Sequence, residues 1–96
     1  MRRRIAVDID NTLCIGQHWQ SEDECLNAVP IPGMIQYIND MYYKNDFIII
    51  YTARQNWLMS MTFEWLDKHG VKYHAVMNKK CPVDILIDDT SLKILR

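Results

Sequence analysis

The chain has no long apolar run, no paired-cysteine motif and no excess of either charge sign. No stretch approaches the roughly 20 apolar residues that a membrane-crossing helix needs, which argues against a membrane partner. The three cysteines, Cys14, Cys25 and Cys81, form no CxxC pair. An odd, unpaired set suits a reducing compartment better than a disulfide scaffold. A formal net charge of −1 gives no whole-molecule field to draw in nucleic acid or an anionic surface. The local basic run Arg2-Arg3-Arg4 reads as a solvated lead-in to a first strand. Only three apolar residues separate it from Asp8, which is not the pattern of a signal peptide. Neither repeats nor a linker interrupt the chain. These absences together lead to the expectation of a cytoplasmic protein with neither membrane nor nucleic acid as its partner.

What is present is enough apolar material for a core. The 96 residues are 49% hydrophobic and include three tryptophans, five tyrosines and two phenylalanines. That composition argues against disorder and for a single domain over residues 1–96. Ile5-Ala6-Val7 leads straight into Asp8 and Asp10, giving a first strand over 4–8 that ends in two carboxylates. Alternation along a strand sends both carboxylates to one side. Like charges so placed repel unless a cation or a proton relieves them, so chemistry is the first explanation for the pair. Residues 13–32 lack periodicity and read as a loop or small hairpin that folds over this site, with Glu22-Asp23-Glu24 a solvated face.

Beyond that loop the signals are regular. Met34, Ile35, Ile38, Met41 and Tyr42 make an apolar stripe at helical spacing, with Pro32 at its start and Asn45 as its C-terminal cap. Phe47–Tyr51 is a second strand. Asn56 is placed to cap a helix that runs to His69, with Trp57, Leu58, Met61, Trp65 and Leu66 on its core face and Gly70 as its stop. Val71–Met77 and Val83–Ile87 read as third and fourth strands, and the tail from Thr90 as one helical turn. Helical crossovers between the strands force a parallel sheet, and their right-handedness puts the first strand centrally, beside the second and fourth. The expected fold is a three-layer, Rossmann-like α/β domain.

The polar strand ends then converge on one edge of the sheet. Strand one supplies Asp8 and Asp10, strand two Thr52, strand four Asp88 and Asp89, and the turn before it Lys79 and Lys80. In open α/β sheets ligands bind at this carboxyl edge. An oxygen-rich carboxylate cluster suits a hard cation, Mg2+ first, which binds through one or two carboxylates, waters and substrate phosphate. No histidine or cysteine is spaced for zinc. A hydroxyl and an ammonium beside the metal supply donors to phosphoryl oxygens.

The order DxDxT, a strand ending in Thr52, a lysine, and a strand ending in Asp88-Asp89 resembles the haloacid dehalogenase (HAD) superfamily of phosphohydrolases over nearly the whole chain. The fuller wording IAVDIDNTLC, FIIIYTAR and KxPxDxxIDD, with Cys81 interposed, is most similar to its small members linked to capsule or polysaccharide biosynthesis. The resemblance implies a Mg2+-dependent phosphatase for a small phosphorylated metabolite, with a sugar phosphate as the first candidate. It makes Asp8 the nucleophile and Asp10 the general acid and base. Thr52 becomes a phosphoryl donor and Lys80, rather than Lys79, the catalytic lysine. Asp8, Asp10, Asp88 and Asp89 form the metal set. Asn11, Thr12, Ala53 and Arg54 flank these motifs and are expected at the substrate, with Arg54 reaching a second anionic group or else forming a surface salt bridge.

Two departures qualify the resemblance. Asn11 stands where the family commonly has glycine, though asparagine tolerates the same turn. The 13–32 segment is too short for a folded cap, so a capless, open site is expected, closed if at all by another subunit of a homo-oligomer. A response-regulator receiver is a poor alternative because the third strand ends in Ala75-Val76-Met77, without the aspartate it requires. A nucleotide or polynucleotide 3′-phosphatase and a non-catalytic HAD-like binding module are the alternatives. No basic stripe interleaved with aromatics supports the former.

Overall fold

Ile5, Ala6 and Val7 offer no polar face to water, and they lie at the centre of the sheet. The computed structural model describes residues 2–78, 83–88 and 92–94. Strand β1 (Arg4–Asp8) pairs in parallel with β2 (Phe47–Tyr51) and with β4 (Ile85–Ile87). Strand β3 (Ala75–Met77) runs parallel beside β2, and β5 (Leu92–Ile94) antiparallel beside β4. The order β3-β2-β1-β4-β5 places the first strand between the second and fourth, as the crossovers dictated.

Alternation sorts the strand residues onto two faces. Ile5, Val7, Ile48 and Ile50 join one core cluster with Ile38 and Met41 of α2 (Met34–Tyr43) and Trp65 and Leu66 of α3 (Met59–Lys68). Ala6, Ile49 and Leu86 point the other way and are buried too. A sheet covered on both faces explains why these strands read as continuous apolar runs. Among the described residues no cap domain is inserted: between β1 and α2 the one helix is the short α1 (Glu22–Leu26).

Several expectations need correction. β4 is confined to Ile85–Ile87 where a strand from Val83 was expected. The acidic cluster is not a loop face but the first turn of α1, where Ser21 Oγ accepts from Glu24 N at 3.1 Å. Negative charge at a helix start and a serine N-cap stabilise each other's placement. Asn56 caps no helix; it opens a 3-10 turn (Asn56–Leu58) before α3, and Trp57 leaves the core, being 47% exposed. The third strand is confined to Ala75–Met77, because Lys72 N donates to Asn39 Oδ1 and Val71 N to Leu66 O. The tail is a strand, β5, not a helical turn, since the exposed edge of β4 takes it as an antiparallel partner. The C-cap of α2 is Lys44, one residue before the expected Asn45, which follows it in the left-handed region at φ 76°.

Candidate active site

The chain leaves β1 through a tight turn. Ile9 O accepts from Thr12 N, Leu13 N and Cys14 N, at 3.1, 2.8 and 3.2 Å. Asn11 sits at φ 58°, the conformation for which its type was suited, and its Oδ1 accepts from Gly16 N at 2.9 Å. This turn fixes the two carboxylates. Asp8 Oδ1 accepts from Ile9 N at 2.8 Å, which holds the side chain at the strand's carboxyl end. Asp8 and Asp88 follow directly on Val7 and Ile87, which are register partners, so their positions are neighbours across the sheet.

Asp10 is bound quite differently. Its Oδ1 accepts from Arg54 Nη2 at 2.6 Å, Arg54 Nε at 3.1 Å and Trp19 Nε1 at 2.9 Å. Cys14 Sγ lies 3.9 Å from the same oxygen. Among the described residues Oδ2 takes no donor. The Arg54 side chain is 2% exposed, so it forms a buried ion pair, neither a surface salt bridge nor a guanidinium extended into solvent. Its Nη1 donates to Thr62 Oγ1 at 2.8 Å and meets Cys25 Sγ at 3.0 Å. Burial alone lowers the Arg54 pKa, but the hydrogen bond and charge of Asp10 outweigh it and raise the pKa. Burial pushes the Cys14 thiol up to about 11 and raises Cys25 as well, so both are neutral thiols near pH 7 and not nucleophiles.

Thr52 follows directly on β2 and is buried, with Oγ1 accepting from Arg54 N at 3.0 Å. With that lone pair engaged, the hydroxyl's own proton is its donor for a further group. A cleft of about 560 Å³ opens over these strand ends, with Asp8, Asp10, Ala53 and Arg54 in its wall. His18, Trp19 and Trp57 form its rim. Thr12, Asn11, Thr52 and Asp88 do not line it: Thr12 is buried with no partner for its hydroxyl among the described residues, and Asn11 is spent on Gly16. Lys79, Lys80 and Asp89 lie outside the described residues.

Sequence reasoning missed the role of Trp19 and the burial of Arg54. A polar signal was there to find. Thr62 stands on the same face of α3 as Trp65 and Leu66, and a threonine on a buried stripe calls for a polar partner.

As to a metal, the donor chemistry fits Mg2+. Hard carboxylate oxygens at adjacent strand ends, Asp8 and Asp88, match the one or two protein carboxylates this ion takes. Among the described residues no cluster of three or more His, Cys, Asp or Glu forms an all-protein cage.

No family model and no curated protein matches the chain. Solved structures do. A conserved protein from Bacteroides thetaiotaomicron superposes with a TM-score of 0.75 at 20% identity, over 95% of this chain and 78% of that one. The D,D-heptose 1.7-bisphosphate phosphatase from B. bronchiseptica, complexed with magnesium and phosphate, gives 0.54 at 19% identity, over 83% and 51%. A chain of the Pnkp1/Rnl/Hen1 complex gives 0.67 at 13% identity, over 93% and 29%. At these identities the likeness is one of fold, an α/β domain built on a mainly parallel sheet, the class the strand and helix pattern predicted.

Proposed function

We propose that this chain is a capless, Mg2+-dependent phosphatase of the HAD superfamily that works through an aspartyl-phosphate. One observation carries the reading: β1 ends in Asp8, and Thr52 and Asp88 follow directly on the neighbouring ends of β2 and β4. They bring to one edge of the sheet a carboxylate nucleophile, a hydroxyl donor and a second carboxylate, the groups that nucleophilic phosphoryl transfer uses. The magnesium and phosphate named for the heptose bisphosphate phosphatase support the cofactor assignment.

Asp8 attacks phosphorus with one carboxylate oxygen, and the bond to the leaving oxygen breaks. Asp10 delivers a proton to that leaving oxygen, then removes one from the water that cleaves the aspartyl-phosphate. The Thr52 hydroxyl donates to a phosphoryl oxygen, and Lys80 balances the anionic charge. Asp8, Asp88 and Asp89, with the backbone carbonyl of Asp10, hold the cation. When bound, Mg2+ supplies the positive charge that lets an anionic nucleophile approach an anionic phosphoryl group.

The substrate is a small phosphorylated metabolite, with a sugar phosphate first by resemblance to the capsule and polysaccharide members. Among the described residues of the cleft wall Arg54 is the one formal cation, and it is committed to Asp10. That leaves little to track a polynucleotide backbone. Arg54 therefore acts on substrate through Asp10, while Ala53 supplies backbone to the cleft wall.

Phosphate release from sugar phosphates, nucleotides and 3′-phosphorylated oligonucleotides, with Mg2+ and with EDTA, tests the proposal. Turnover of sugar phosphates that EDTA and Asp8→Asn both abolish is the expected result. Activity that survives either change rejects the mechanism, and preference for oligonucleotide ends replaces the substrate class.

A further inference from the structure

We infer that Trp19 is a positioning residue for proton transfer, holding one oxygen of Asp10 so that the other alone handles the proton. The inference rests on the phosphatase reading and adds a part for the 13–32 segment. All described donors to Asp10 reach Oδ1: the indole N–H of Trp19 at 2.9 Å, two guanidinium N–H groups of Arg54 at 2.6 and 3.1 Å, and the weaker Cys14 thiol at 3.9 Å. A carboxylate gripped by these donors at one oxygen cannot rotate its two oxygens into exchange without breaking them all. Asp10 stands in the cleft wall, so Oδ2 is the oxygen left for chemistry.

The indole is itself held in place. Its ring lies over the Arg54 guanidinium, 5.6 Å from centroid to Cζ, an arrangement in which the ring face attracts the cation. Beneath it Gly16 adopts φ 114°, and a Cβ there would fall 2.8 Å from Trp19 Cη2. Only glycine both takes this backbone conformation and leaves room for the ring. The far end of the segment is tied to the same arginine, since Cys25 of α1 meets Arg54 Nη1. Displacement of the segment therefore removes a donor from Asp10.

In the first step the Asp8–phosphorus bond forms as the bond to the leaving oxygen breaks, and the proton on Asp10 Oδ2 passes to that oxygen. In the second, water bonds to phosphorus, its proton passes to Asp10 Oδ2, and the Asp8–phosphorus bond breaks. Trp19 touches no reacting atom in either step; it acts by holding Oδ1.

Leaving-group dependence separates this role from simple support of the fold. Trp19→Phe keeps the ring and removes the N–H. Its kcat/KM reports events up to departure of the leaving group, so the loss on alkyl phosphates, which need a proton, exceeds the loss on p-nitrophenyl phosphate, which does not, by about tenfold. Gly16→Ala, which displaces the ring, steepens the same dependence and serves as the second variant if Trp19→Phe melts below assay temperature. Equal losses on both substrates in the two variants, or a change confined to KM, overturn the positioning role. Wild-type release that is abolished by Asp8→Asn leaves the phosphatase reading standing in that case. Wild-type release that Asp8→Asn does not reduce overturns both.

Discussion

Arg54 and Asp10, 44 residues apart in the chain, meet at 2.6 Å between Nη2 and Oδ1, the arginine almost wholly buried and the aspartate at the cleft. A buried pair of this kind is weak evidence of net stability, because desolvation offsets much of the attraction. Removing one partner nevertheless leaves an uncompensated charge and costs about 3–5 kcal/mol. Arg54→Met is therefore expected to lower the melting temperature by more than about 10 °C in a domain of this size. The double variant Arg54→Met with Asp10→Leu should recover part of that loss. Thermal melts of the two single variants and the double variant measure the coupling; simple additivity would show that the pair is not a unit.

Ser21 has a smaller and more local effect. Its hydroxyl caps α1 through Glu24 N, and α1 carries Cys25 to Arg54. Ser21→Ala should cost about 1 kcal/mol, the usual effect of losing such a cap. Ser21→Asp should restore it, since aspartate caps equally well and adds charge at the positive helix end. Chemical denaturation with an unchanged m-value would confirm that stability alone moved.

These two sites also show where the sequence was readable and where it was not. β1 and β2 were found at their observed bounds because uninterrupted β-branched runs have few alternatives in a buried sheet. β3 and β4 came out shorter than expected, because Lys72 and Asp84 make polar contacts where the apolar pattern suggested strand. The placement of α1 hinged on one hydroxyl, which the acidic cluster beside it obscured. The strand-end carboxylates were legible, since two aspartates in an apolar context have no structural reason to be there. The link from Trp19 through Asp10 to Arg54 was not, because it joins loop, strand end and helix by side-chain geometry with no local periodicity.

His74 should make the fold sensitive to acid. Its ring stacks between Tyr42 and Phe47, at 4.6 and 4.7 Å, and Nδ1 accepts from Ile48 N at 3.0 Å. Burial and the neighbouring Arg2 lower its pKa from the ordinary value of 6.5. His69 shifts the same way, through burial and Lys68. A histidine with a lowered folded pKa binds its proton more readily in the unfolded chain, so its contribution is present above 6.5 and is lost as pH falls from there through the folded pKa. The melting temperature should thus fall between pH 7 and pH 5, and His74→Phe should flatten part of that slope. An undiminished slope in the variant would assign the acid sensitivity to other groups.

Ligand binding offers a test of the site that needs no turnover. Beryllofluoride with Mg2+ mimics a phosphorylated aspartate, and a ligand that binds only the folded state at a hundred times its Kd stabilises it by about 2.7 kcal/mol. The wild-type protein should therefore melt at a higher temperature with both present, and show a smaller shift with Mg2+ alone. Asp8→Asn should lose the beryllofluoride shift, because the nucleophile's oxygen is the atom that bonds to beryllium. Thr52→Val should weaken it, because the hydroxyl that accepts from Arg54 N is the donor left for the mimic's equatorial atoms. A shift of wild-type size in Asp8→Asn would place the anion elsewhere in the cleft and detach the carboxylate from the reaction assigned to it.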